Sequence, residues 1–124
     1  MSSTPVAAKQ DFLLNLRDAL RQFAEEREWG KFHTPKNLAI SLCVEAAELL
    51  EHYQWLSETE SVAIPPETKA KVSEEIADVL IYLVQIADKL DVDLKAAAIE
   101  KLRLNAAKYP IDKARGSSKK YTEL

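Results

Sequence analysis

Only two glycines, Gly30 and Gly116, occur in the 124 residues of this chain. Tight two-residue hairpins need glycine or Asn-Gly to reach positive φ, so a sheet assembled from hairpins has almost nothing to turn on. Alanine, leucine, glutamate and lysine, all strong helix formers, dominate instead. The sequence therefore predicts an all-α fold.

Its punctuation divides the chain into four long helical segments. Asp11 caps the first, in which Phe12, Leu16, Leu20 and Phe23 recur at helical spacing as far as about Trp29, with Gly30 as the stop. Thr34-Pro35, a cap followed by proline at the first helical position, starts a second helix that reaches about Trp55. After a polar loop from Ser57 to Pro66, Pro65-Pro66 opens a third helix running to about Leu90. The second half of that helix is apolar nearly all round, so it should be the most enclosed. Asp91 to Asp93 form a turn, and Asp93 caps a fourth helix ending near Tyr109-Pro110. Four helices with short connections predict a four-helix-bundle-like single domain spanning 1–124. Residues 1–10 and 111–124 are expected as flexible tails.

Two pairs of acids stand out because of their flanks. Glu45 and Glu48 share one helix face, as do Glu75 and Asp78 on the next helix. The first pair sits among Leu42, Val44, Ala46, Ala47 and Leu49, while Asp78 lies between Ile76-Ala77 and Val79-Leu80. Carboxylates so enclosed face a desolvation cost of several kcal/mol each unless a cation compensates. An oxygen-only set selects a hard ion, Mg²⁺ or Mn²⁺. Zinc lacks its Cys and His ligands, and neither His33 nor His52 has a glutamate three residues before it, as a di-iron bundle requires. The competing reading makes these acids solvated helix faces of a non-catalytic interaction module.

The bulk charge narrows the partners. With 17 basic and 20 acidic side chains, the net charge of -3 argues against a broad nucleic-acid surface. An anionic ligand would then reach the acids only through a bridging cation. The run from Ile76 to Ala87 is interrupted by Asp78 and Gln85 and is too short to span a membrane. The opening MSSTPVAAKQ has no hydrophobic signal core, and a lone Cys43 suits a reducing compartment, so a cytoplasmic protein is expected. Cys43 itself reads as a small buried hydrophobe.

Five blocks, FAEEREWGKFHTPKNLAISL, EAAELLEHYQW, EEIADVLIYLV, KLRLNAAKYP and SSKKYTEL, resemble in order the MazG-type all-α NTP pyrophosphohydrolases, and within them the dCTP pyrophosphatase branch. The signature of that superfamily, Glu-x-x-Glu followed by Glu-x-x-Asp, falls on Glu45, Glu48, Glu75 and Asp78. The resemblance implies that these four bind Mg²⁺, that the metal positions a triphosphate and activates water, and that the products are the nucleoside monophosphate and pyrophosphate. It also implies a homo-oligomer, a dimer or a tetramer. The base is left open between dCTP or a modified dCTP on one side and dUTP or other non-canonical triphosphates of a house-cleaning enzyme on the other.

By the same resemblance Lys101 and Asn105, four apart on the last helix, contact the phosphates or the sugar. Trp29, Trp55 and Tyr82 are candidates for stacking on the base, with core or interface packing as the competing reading. His33 precedes the Thr-Pro helix start and is a candidate donor to the ligand. The basic tail, with Lys113, Arg115, Lys119, Lys120 and Tyr121, is a candidate to fold over the phosphates. One departure from the branch is visible: where it has a histidine nine residues before the tryptophan matching Trp29, this chain has Leu20.

Overall fold

The computed structural model describes residues 11–124; the expected N-terminal tail, residues 1–10, lies outside them. Contacts divide the chain into two compact units, the first ending at Asp91 and the second running from Val92 to Leu124. Among the described residues every regular element is helical. The first unit holds α1 (Phe12–Glu26), a 3-10 turn (Gly30–Phe32), α2 (Pro35–Glu51), α3 (Glu58–Ser61) and α4 (Pro66–Lys89). The second holds α5 (Leu94–Lys108), α6 (Ile111–Ala114) and a 3-10 turn (Tyr121–Glu123).

The predicted starts are where the caps put them. The Asp11 carboxylate accepts from the Leu13 N–H at 2.7 Å, the Thr34 hydroxyl from Asn37 at 3.2 Å, and the Asp93 carboxylate from Ala96 at 3.0 Å. Each satisfies a backbone donor that has no partner within its helix. Pro35 and Pro66 occupy first helical positions, where the missing N–H costs nothing.

Four details differ from expectation, one being that the second helix ends at Glu51 rather than near Trp55. The first helix stops at Glu26, because Glu28 takes a left-handed φ of 54°. The Trp29 and Glu28 N–H groups then reach back to the Ala24 and Glu25 carbonyls at 2.9 and 3.1 Å, closing the helix end ahead of Gly30. The loop after Trp55 contains α3, held by a reciprocal Ser57–Glu60 capping box. Beyond Tyr109, where no further helix is predicted, the chain forms α6 and a terminal turn in which the Tyr121 ring packs edge-on against Tyr109 at 6.0 Å.

In the first unit α4 is central: α2 packs along it and α1 crosses onto it. The buried apolar side chains are Leu38 on α2 and Val72, Val84 and Ala87 on α4. From Asp78 to Asp88 every α4 residue except Leu83 is at least half-buried, as its apolar pattern predicts. No helix among the described residues is long and apolar enough to cross a membrane.

Candidate metal centre

The α2–α4 pairing brings Glu75 to the sequence-distant pair Glu45 and Glu48. Glu45 and Glu48 look from α2 onto the face of α4 that carries Glu75, and one carboxylate oxygen from each of the three lies within 4.8 Å of the others. All three are half-buried. Asp78 is not one of this trio, though its charge still acts on Glu45 and Glu75. Among the described residues none of the four acids has a Lys, Arg or His ion-pair partner.

The energetics of this cluster are unfavourable as they stand. Glu45 Oε2 and Glu75 Oε2 are sealed from solvent and have no hydrogen-bond partner. Burial, then the adjoining Glu48 carboxylate, then Asp78 and Glu75 push Glu45 up to about 7. Burial and Glu48 also raise Glu75. Buried polar atoms are normally paired, and like charges this close disfavour ionisation of both. A hard divalent cation cures both defects, because it gives the sealed oxygens a partner to ligate and offsets the repulsion. The donor set therefore fits Mg²⁺ or Mn²⁺ on its own chemistry.

The other predicted site residues fall into separate groups. Trp29 and His33 come together, ring centroids 6.1 Å apart, with Phe23 packing on the far edge of Trp29 at 5.7 Å. The left-handed turn at Glu28 is what folds Trp29 back to that position. Burial, and then the charge of Lys89, lowers the His33 pKa, which favours the neutral imidazole. Tyr82 is half-buried one turn beyond Asp78 on the same stripe of α4. Trp55 is 86% exposed on the turn after α2, with no ring partner among the described residues. Lys101, exposed, and Asn105, half-buried, lie on α5 in the second unit. In that unit the tail folds back locally, with the Lys108 ammonium 5.0 Å from the Tyr121 ring centroid.

Cys43 corrects the sequence reading. It is exposed, because α2 turns Glu45 and Glu48 inward and leaves that position facing out.

One feature of the first unit is almost silent in the sequence. A cavity of about 280 Å³ opens between α1 and α4, with Leu20, Arg21, His33, Val84, Gln85 and Asp88 among its walls. Only the interruption of an apolar run at Gln85 hinted at it, since pairing of α1 with α4 is a long-range choice.

Residues 40–124 match the MazG-like family. The dCTP pyrophosphatase 1 of Mus musculus is 46% identical over 114 residues, which cover 90% of this chain and 67% of that protein. Its Homo sapiens counterpart is 43% identical over 114 residues, with the same 90% and 67% coverage. A crystal structure of a pyrophosphatase from Archaeoglobus fulgidus has a TM-score of 0.77 at 44% identity, covering 82% of this chain and 94% of that one.

Proposed function

The chain belongs to the MazG-like family and is a nucleotide pyrophosphohydrolase, and from that premise we propose that it cleaves dCTP or a modified dCTP between the α and β phosphates. Nucleoside monophosphate and pyrophosphate leave as products. The observation that carries the site assignment is the pair of sealed, unpartnered oxygens on Glu45 and Glu75 inside a cluster of acids.

Glu45, Glu48, Glu75 and Asp78 hold Mg²⁺, with Mn²⁺ as the alternative ion. When bound, such an ion neutralises charge on the phosphoryl oxygens and makes water more acidic. The residues of the chain do the rest. The acids fix where the triphosphate can dock, since no phosphate approaches them without a cation. One of the glutamates orients the attacking water. Lys101 supplies a point charge to phosphate oxygens, and Asn105 an amide donor and acceptor to the phosphates or sugar.

The base side is assigned to Trp29, His33, Trp55 and Tyr82. Tyr82 stands one turn beyond Asp78 along α4, toward the α1–α4 cavity, where its ring can meet a base whose phosphates are held at the acids. Trp29 and His33 sit together at the cavity side, and a nucleobase stacked on an aromatic ring gains roughly 1–3 kcal/mol. The chain is expected to work as a single domain within a dimer or tetramer, and the apolar faces left open on α2 and α4 support that assembly.

A panel of canonical and modified deoxynucleoside triphosphates tests the reading, with Mg²⁺ present or chelated and both products quantified. Magnesium-dependent release of monophosphate and pyrophosphate, best with cytosine nucleotides, is expected. Release of single phosphates, or turnover that ignores chelation, would sink it.

A further inference from the structure

The cavity between α1 and α4 has walls of two kinds. Leu20, Ala24 and Val84 supply apolar wall, and polar or charged side chains, Glu25 and Lys89 among them, stand around it with His33 and Gln85. A volume of about 280 Å³ lies near the lower end of the range for ligand sites, roughly 300–1,000 Å³, and is suited to one ring rather than a whole nucleotide. Its position follows from helix geometry. Asp78, Tyr82 and Gln85 fall on one stripe of α4, and Gln85 lies about 10.5 Å along the axis from Asp78 at 1.5 Å per residue. A substrate held by its phosphates at the acids and lying along that stripe passes Tyr82 and puts its base at Gln85.

Among the described residues that line the cavity, Gln85 is the one carboxamide. It is half-buried, and among the described residues its carboxamide has no hydrogen-bond partner. Asp88, one turn on, is already committed, because both of its oxygens accept from the Arg21 guanidinium. The amide of Gln85 is thus a free donor and a free acceptor at the wall of a ring-sized cavity.

We infer that Gln85 is a specificity residue that contacts the exocyclic group at the 4-position of a pyrimidine base, so that the enzyme accepts both dCTP and dUTP. This deepens the proposed function and rests on it. A carboxamide meets either base: its oxygen accepts from the amino group of cytosine, and its NH₂ donates to the oxo group of uracil. A carboxylate at the same place would accept only, and would reject uracil. Arg21 holds the α4 carboxylate nearest to Gln85 in sequence, Asp88, in an ion pair, while Glu25 lines the cavity from α1.

The test compares kcat/KM for dCTP and dUTP in the full chain with Mg²⁺, for the wild type, Gln85→Glu and Gln85→Met. Circular dichroism confirms that each variant is helical. The wild type should take both substrates within about tenfold of each other. Gln85→Glu should shift the ratio toward dCTP by roughly tenfold or more, the size of one hydrogen-bonded discrimination. Gln85→Met should weaken both substrates alike, chiefly through KM. A Glu variant that cleaves dCTP with the wild-type ratio overturns the inference while leaving the proposed function standing, as does a wild type that cleaves dCTP and ignores dUTP. A wild type that cleaves neither overturns both.

Discussion

Arg21 on α1 grips Asp88 on α4 across 67 positions, with Nε donating to Oδ2 at 2.8 Å and Nη2 donating to Oδ1 at 2.5 Å. Paired, two-point geometry of this kind is the exception to the rule that exposed ion pairs contribute little. The Arg21 hydrogen bonds hold the Asp88 pKa below its usual value against the opposing effect of burial. A depressed carboxylate pKa means stability that is present above the unfolded value of about 3.9 and lost as pH falls through the folded one. Arg21→Ala should therefore lower the melting temperature by a few degrees at neutral pH. The gap between variant and wild type should close in strong acid, and a gap of equal size at both pH values would show that the arginine acts by packing alone.

Glu48→Gln removes one negative charge from the acid cluster without changing its shape. As a proposed metal ligand, Glu48 should be costly to lose in turnover, with Mg²⁺-dependent pyrophosphate release falling by about 10²-fold or more. Without metal the effect on stability should have the opposite sign, because Glu48 is among the causes that raise both Glu45 and Glu75. The variant should thus melt higher than wild type in chelator and lose that advantage in Mg²⁺. Calorimetry under both conditions checks it, and full activity in the purified variant refutes the site.

The raised Glu45 pKa gives the metal-free protein a pH signature. Its unfolded value is the ordinary 4.5 and its folded value about 7. A carboxyl raised by folding favours the folded state below the unfolded value, and that contribution is lost as pH climbs through the folded value. Metal-free protein should accordingly lose stability between about pH 4.5 and 7. Mg²⁺ needs ionised ligands, so its stabilisation should grow across the same window and its binding near neutrality should release protons. Melting curves from pH 4.5 to 8 with and without Mg²⁺ read both. A metal-free stability flat across that interval would contradict the coupling.

Local chemistry explains which parts were legible. Thr34-Pro35, Pro65-Pro66 and Asp93 announce helix starts because caps and first-turn prolines act within three or four residues. Helix ends are less strictly encoded. The first, ending at Glu26, is closed by a non-glycine residue, Glu28, whose left-handed backbone no composition rule predicts. The apolar flanks of Glu45 and Glu48 point to enclosure, whereas Glu75, preceded by Ser73 and Glu74, is reached only through its spacing from Asp78. The inward turn of Gln85 and the grip of Arg21 on Asp88 could not be read from the sequence. They depend on which face of α1 meets α4, and a single sequence carries no long-range pairing information. Cys43 was misread for a related reason, as apolar neighbours on a helix lie on several faces and do not fix which one is covered.

The described residues bury only Leu38, Val72, Val84 and Ala87 completely enough to count as core, while Ile40, Val44, Leu50 and Ile76 are each about half exposed. Leu50 and Ile76 line a shallow apolar groove with Leu49 and Tyr53 on the outer side of the α2–α4 pair. Leaving that much aliphatic surface in water costs roughly 25 cal/mol per Å² relative to burying it, and symmetric association is the common way to cover such a face. The protein should therefore run in solution as a dimer or tetramer of its 14.0 kDa chain. Leu50→Lys places a charge in the groove, away from the inward acids, and should shift the mass toward the protomer and lower the melting temperature. Light scattering coupled to size exclusion decides it at micromolar concentration. A wild type at one-chain mass would mean that this apolar face is left to water.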